Sequence, residues 1–353
     1  MSKINVAVLG ATGMIGQRFI QLLENHPWFE IGGLYASERS EGKKLKDVLK
    51  VRDHSFNDET LDMTIERLET KKISELNRIA FSGLPSDIAG PIESDLADLG
   101  VAVFSNAANH RMRDDVPLLI PECNSSHLEA IKQQKTYSNG GYIVTNANCS
   151  TTGIAVPLKA IDTSFGLKMV CISTYQAVSG AGYPGVPSLD ILCNVVPYIK
   201  NEEEKMEMEL AKILGDYNGS RFIDANVNVL SNCVRVPVID GHLESLVFNL
   251  SKDADVDKLA GVIRSFTAEP QKLQLPSAPI APIIVRDEPD RPQPACDAFA
   301  GTPARARGMA CTVGRIREKD NYFKMFVLSH NTLRGGAGGS VLNAELAVAK
   351  KMM

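Results

Sequence analysis

The first forty residues constrain the fold of this chain more than any other stretch. Ile4–Leu9 is an apolar run broken only by Asn5, as expected of a strand buried on both faces. Gly10-Ala11-Thr12-Gly13-Met14-Ile15-Gly16 follows, and Gln17–Asn25 then carries apolar residues at helical spacing. Strand, glycine turn and helix in that order is the context in which such a turn holds a phosphate. The glycines let backbone approach a pyrophosphate, and the helix N-terminus faces its charge. The spacing is G-x-x-G-x-x-G rather than the commoner G-x-G-x-x-G, so a tight turn in an unrelated α/β domain is the competing reading. Dinucleotide contacts are expected from Gly10, Thr12, Gly13, Met14 and Ile15.

The next strand is predicted over Glu30–Ala36, and its tip reads Ser37-Glu38-Arg39-Ser40. A site for NAD favours a carboxylate there, to take the ribose 2′-hydroxyl. The hydroxyls of Ser37 and Ser40 and the guanidinium of Arg39 suit a 2′-phosphate better, which points to NADP. Glu38 dissents and is assigned to solvent. The rhythm continues with strands at Ile79–Phe81, ending in Ser82-Gly83, and at Val101–Phe104, with a helix over Asp87–Leu99 between them. Loops at strand ends line the ligand crevice of an open parallel sheet, so Ser82 and Arg111 are candidates; a solvated surface Arg111 is the plainer alternative. The polar stretch Arg52–Leu61 reads as an exposed connection.

At 353 residues and 44% apolar, the chain is long for one core, and two domains are expected. A net charge of −4 without long like-charge blocks argues against nucleic-acid or membrane partners. Seven scattered cysteines without C-x-x-C spacing argue against a disulfide framework or metal site, and for a reducing compartment, the cytoplasm.

The chemistry is expected around Tyr142–Gly153. A β-branched strand gives way to Asn146-Ala147-Asn148-Cys149, and a helix starts near Cys149, with Pro157 inside it predicting a kink or a late start. A thiol at a helix start meets the positive end of the backbone dipole, which favours thiolate, and the free N–H groups there can hold an oxyanion. A small buried residue opening a helix is the bland alternative. A long strand over Leu167–Gln176 leads into the glycine loop Ala177–Gly185. Glu202 and Lys205 share one face of a charged helix start, where a surface ion pair is the simplest reading. Asp240-Gly241 between β-like runs predicts a hairpin that would put Arg235 and His242 on one face, with Pro237 warning of a shifted register. An amphipathic helix at Asp255–Phe266, a proline-rich connection, two strands and a glycine run, Gly335–Gly339, precede a last helix from about Ser340, which could return to the first domain.

Together these stretches resemble the aspartate-semialdehyde dehydrogenases, particularly their archaeal and fungal branch. The resemblance runs nearly end to end and is carried by Gly10–Gly16, Asn146–Thr151, Gln176 with Ser179–Tyr183, Arg235–His242 and His330–Glu345. It implies an α/β fold with a Rossmann-like NADP-binding domain, residues 1–148 completed by 331–353. A catalytic and dimerisation domain of α+β type with a mixed sheet would span 149–330. It implies that Cys149 is the nucleophile, His242 the acid–base group and Gln176 an accessory catalytic residue. Arg235 would grip the substrate carboxylate, and Glu202 would stand near its amino group. Arg111 and Lys205 would hold phosphate, and Asn148 would touch substrate. Ser179, Gly180, Asn331 and Asn343 would touch NADP, although many relatives carry Gln at the place of Asn343. The family's usual Asn-Pro-Asn-Cys is Asn-Ala-Asn-Cys here. The implied reaction joins L-aspartyl 4-phosphate and NADPH to L-aspartate 4-semialdehyde, phosphate and NADP, in a homodimer or homotetramer. Rival readings are a related acyl-phosphate or acyl-CoA reductase, acting on N-acetylglutamyl phosphate or malonyl-CoA, or a non-catalytic NADP-binding regulator.

Overall fold

The computed structural model describes residues 2–353. The apolar run at the N-terminus forms β1 (Ile4–Leu9), whose last four residues are buried. It seeds a parallel sheet with β2 (Phe29–Ala36), β3 (Ile65–Arg67), β4 (Ile79–Ser82), β5 (Ala102–Ser105), β6 (Leu118–Leu119) and β7 (Tyr142–Asn146), in the order β3-β2-β1-β4-β5-β7-β6. Strand order reverses at β1, between β2 and β4. In doubly wound sheets the ligand crevice lies at such a switch point, outside the strand C-termini, where Gly10 and Ser82 stand. The Met14 helix (Met14–Leu23) buries Phe19, Ile20, Leu22 and Leu23 against this sheet.

The second sheet is mixed. A two-stranded ribbon, β9 (Asp216–Tyr217) and β10 (Phe222–Ile223), stands apart from it. The sheet itself joins β8 (Leu167–Gln176), β11 (Asn228–Arg235), β12 (His242–Leu250), β13 (Ile283–Arg286), β14 (Cys311–Lys319) and β15 (Tyr322–Ser329), in the order β11-β8-β12-β15-β14-β13. The Cys149 helix (Cys149–Phe165) crosses its inner face. Ile154, Val156, Leu158 and Ile161 share a core there with Val170, Ile172, Leu246, Phe248 and Val327. Each such side chain stabilises the fold by about 1.5–3 kcal/mol when fully buried. This helix is continuous through Pro157 and starts at Cys149, so the late start does not occur.

The last helix (Gly338–Ala349) returns to the first sheet, as its position in the sequence suggested. Val341, Leu342, Ala344 and Leu346 join the core of Val8, Phe81, Phe104 and Val144. Two other expectations fail. Arg52–Leu61 is not simply exposed: it contains the start of a short helix, Asp58–Asp62, and buries Phe56 and Thr60. Asp240-Gly241 does not close a hairpin, because β8 lies between β11 and β12. Residues 236–241 instead carry the chain over the end of β8. Pro237 has no N–H to pair, and Gly241 turns with φ at +96°.

Candidate active site

The crossing over β8 brings together the side chains that the failed hairpin was meant to pair. Arg235 ends β11 in register with Gln176 at the end of β8, and His242 opens β12 beside them. All three are buried on the face that meets the Cys149 helix. Sγ of Cys149 lies 3.2 Å from Nε2 of His242. Nδ1 of His242 accepts a hydrogen bond from the Ala177 N–H at 3.0 Å. A neutral imidazole has one donor and one acceptor nitrogen, so its proton sits on Nε2, facing the sulfur. Burial, then the charge of Arg235, holds His242 well below its usual pKa, so the ring stays neutral. Arg235 is fixed by donation to the Ala177 carbonyl at 2.8 Å. Gly180 closes the group: a Cβ there would fall 2.9 Å from Arg235 Nη1 and 3.2 Å from His242 Nε2.

The Cys149 helix starts where expected, but its first N–H groups are not all free. Asn148 is the N-cap, and its Oδ1 takes the Ser150 and Thr151 N–H groups at 2.9 and 3.4 Å. Those donors are therefore committed to the cap and do not form an oxyanion hole. Nδ2 of Asn148 donates to Glu202 at 2.9 Å, and its backbone N–H donates to Glu209 at 2.6 Å. Glu209 in turn pairs with Arg111 at 2.7 Å. Arg111, Glu209, Asn148 and Glu202 thus form one buried chain of charge beside the nucleophile. Burial, aided by Glu202, pushes the Cys149 thiol up to about 12, against the pull of Arg235 and Arg111. Burial and Glu202 thus work against the thiolate that a helix start favours.

The glycine turn fits a pyrophosphate. Gly10 has φ at +78°, and a Cβ on Gly16 would lie 2.1 Å from the Gly10 carbonyl, so only glycine permits this turn. The Met14 helix has Gly13 as N-cap and no side-chain cap, which leaves its first N–H groups free for an anion. At the end of β2, Glu38 pairs with Arg67 and leaves Ser37 and Arg39 exposed. A cavity of about 540 Å³ beside Ser37 is walled by Leu68, Leu84, Ile88 and Ile92, an apolar slot of the kind a planar base occupies. A second cleft, of about 560 Å³, runs from Met14 to Ser179.

Two sequence profiles match the chain. One, described as semialdehyde dehydrogenase, NAD binding domain, covers residues 5–131; the other, semialdehyde dehydrogenase, dimerisation domain, covers residues 158–334. An aspartate-semialdehyde dehydrogenase of Archaeoglobus fulgidus is 45% identical over 99% of this chain and 100% of its own. The chain belongs to the aspartate-semialdehyde dehydrogenases. One from Schizosaccharomyces pombe is 44% identical over the full length of both chains. The crystal structure of a family member from Candida albicans with NADP superposes with a TM-score of 0.89 at 39% identity, covering 100% of both chains. Another, from Vibrio cholerae and complexed with ASA, gives 0.77 at 26% identity over 99% of both.

In this aspartate-semialdehyde dehydrogenase fold, Cys149, His242, Gln176, Arg235, Asn148, Glu202, Arg111 and Gly180 gather at one site. Gln176 donates to Thr174 at 3.3 Å and leaves its carbonyl oxygen without a protein partner. Lys205 is half-buried on the helix Glu202–Leu214, and among the described residues it makes no ion pair with Glu202, which faces Asn148 instead. Ser179 accepts from Asn331 at 2.8 Å. Ser82 is buried at the end of β4, and Ser40 closes a short turn after Ser37. Asn343 is buried and spends its amide on the Leu119 carbonyl at 3.3 Å. Sequence reasoning missed Glu209 and Glu244. Glu244 lies two residues past His242, fully buried, with neither carboxylate oxygen hydrogen-bonded. Burial holds it well above the usual carboxylate range. Period-two alternation along β12 was the signal that could have put Glu244 on the His242 face.

Proposed function

We propose that the protein reduces L-aspartyl 4-phosphate to L-aspartate 4-semialdehyde with NADPH, through a thioester on Cys149. The observation that carries this reading is the 3.2 Å approach of Cys149 Sγ to a His242 whose proton faces it. Cys149 attacks the acyl carbon: the C–S bond forms, the acyl C–O bond breaks, and the thiol proton leaves with the phosphate, since Nε2 of His242 already carries its own. The bound cofactor supplies hydride to the thioester carbon. The resulting oxyanion takes the Nε2 proton of His242, or its hydrogen bond. Collapse then breaks the C–S bond and returns the proton to Nε2, leaving aldehyde and thiolate. Arg235 offers a planar fork to the substrate carboxylate, and Glu202 a counter-charge to its amino group. Arg111 and Lys205 would supply positive charge for the phosphate.

NADP would lie with its pyrophosphate on Gly10–Gly16, its adenine side by Ser37 and Arg39, and its reactive end toward Ser179 and Gly180. Asn331 supports Ser179, and Asn343, with its amide on the Leu119 carbonyl, would reach the cofactor only through its side-chain oxygen. The domain that matches a dimerisation profile supports an oligomer, and we infer a homodimer or homotetramer. Within that domain Leu189, Leu192 and Tyr198 are 92, 63 and 66% exposed, a surface suited to burial against a second copy. Among the described residues no helix is long and apolar enough to cross a membrane; seven free cysteines favour the cytoplasm. The test is phosphate-dependent reduction of NADP by aspartate semialdehyde. Turnover is expected; none, or turnover independent of phosphate, would overturn the reading.

A further inference from the structure

A second cluster of charge stands on the wall of the cleft between Met14 and Ser179. Arg18, on the second turn of the Met14 helix, is 2% exposed. Its Nη1 pairs with Asp53 at 2.8 Å, its Nε donates to Thr332 at 3.1 Å, and its Nη2 lies 3.8 Å from Asp240. His330 completes the group. It is fully buried and stacked edge-on against Phe299, and its Nε2 has no partner. Ligand atoms of Asp53, Asp240 and His330 lie within 4.8 Å of one another. Those donor types suit a divalent cation, but the Arg18 guanidinium already stands among the carboxylates and supplies the positive charge.

The group joins two parts of the molecule that act on the same reaction. Asp53 is a tie within the first sheet's side. Asp240 is different: it precedes Gly241, which donates to Asn331 at 2.9 Å, and then His242. Asn331 also holds Ser179. Arg18 therefore reaches from the helix whose N-terminus faces the pyrophosphate to the turn that sets the height of His242. We propose that Arg18 and Asp240 form an interdomain clamp, in which Asp240 is a positioning residue that holds His242 in line with Cys149 when the glycine turn is in place.

The inference rests on the role of His242 given above, so His242→Ala is measured alongside. In Asp240→Asn, kcat should fall roughly tenfold, as expected of a small misplacement of a reacting group. The KM for aspartate semialdehyde should stay within about twofold, because Arg235 is untouched. Asp53→Asn should do the reverse, lowering the melting temperature by a few degrees while kcat falls less than in Asp240→Asn. Wild-type kcat in Asp240→Asn overturns the clamp. So does a fall in kcat matched by a loss of melting temperature like that of Asp53→Asn, which marks a merely structural role. Substantial turnover in His242→Ala would instead remove the reading on which the clamp stands.

Discussion

Two helices in this protein begin at the two halves of its chemistry, and they begin differently. The Met14 helix has glycine at its N-cap and no side chain closing it. The Cys149 helix has Asn148, which closes it with two hydrogen bonds. The dipole is the same in kind at both, but the free donors are not. An uncapped start is a place for an anion to arrive. A capped start is a rigid mount for a side chain. Here that mount holds a thiol 3.2 Å from an imidazole, with Arg235 and the ion pair of Arg111 and Glu209 buried beside it.

The largest expected effect comes from removing what the capped helix holds. Cys149→Ala should lower turnover by at least about a thousandfold and leave NADP affinity unchanged by equilibrium titration; a variant that keeps turnover breaks the assignment. Next is pH. With the thiol pushed up to about 12, the thiolate fraction grows as pH rises. Alkylation of Cys149 in the free enzyme should therefore climb about tenfold per pH unit from 7 to 10. A plateau near pH 8 would show instead a helix start that stabilises thiolate.

The third test converts one helix into the other. Gly13 has φ −85° and ψ 167°, a conformation asparagine accepts as an N-cap. Gly13→Asn should spend the free N–H groups and weaken NADP binding about tenfold or more, some 1.4 kcal/mol, with kcat at saturating NADP little changed. Unchanged affinity would mean that these donors do not hold the cofactor. The smallest effect is the converse. Asn148→Ala should cost about 0.5–2 kcal/mol of stability by denaturant unfolding, the usual worth of a cap. A variant as stable as the wild type would deny the cap its part.

What could be read from the sequence follows the same division. The glycine turn and the start of the Cys149 helix are local, written within a dozen residues, and both appeared where expected. The parallel first sheet followed from the alternation of strands and helices. The catalytic face did not follow from its local signal. Asp240-Gly241 has the composition of a hairpin turn, but pairing depends on which strand fills the space beside it, and β8 does so from sixty residues upstream. Arg235 and His242 converge across β8 rather than along one ribbon. Arg18, Glu209 and Glu244 were missed for a related reason. Their burial depends on partners distant in sequence, and a lone charged residue gives no pattern of its own. Asn148 shows the limit from the other side: its type announces a cap, while a contact with substrate came only from the family resemblance.

On the proposed mechanism the acyl group is carried on the sulfur of Cys149. With aspartate semialdehyde and NADP present and phosphate withheld, the thioester has no acceptor but water. Acid quench followed by peptide mass spectrometry should then find one aspartyl group on the peptide containing Cys149 and no other cysteine modified. An adduct on a different residue, or no adduct from an enzyme that turns over once phosphate is added, would contradict it.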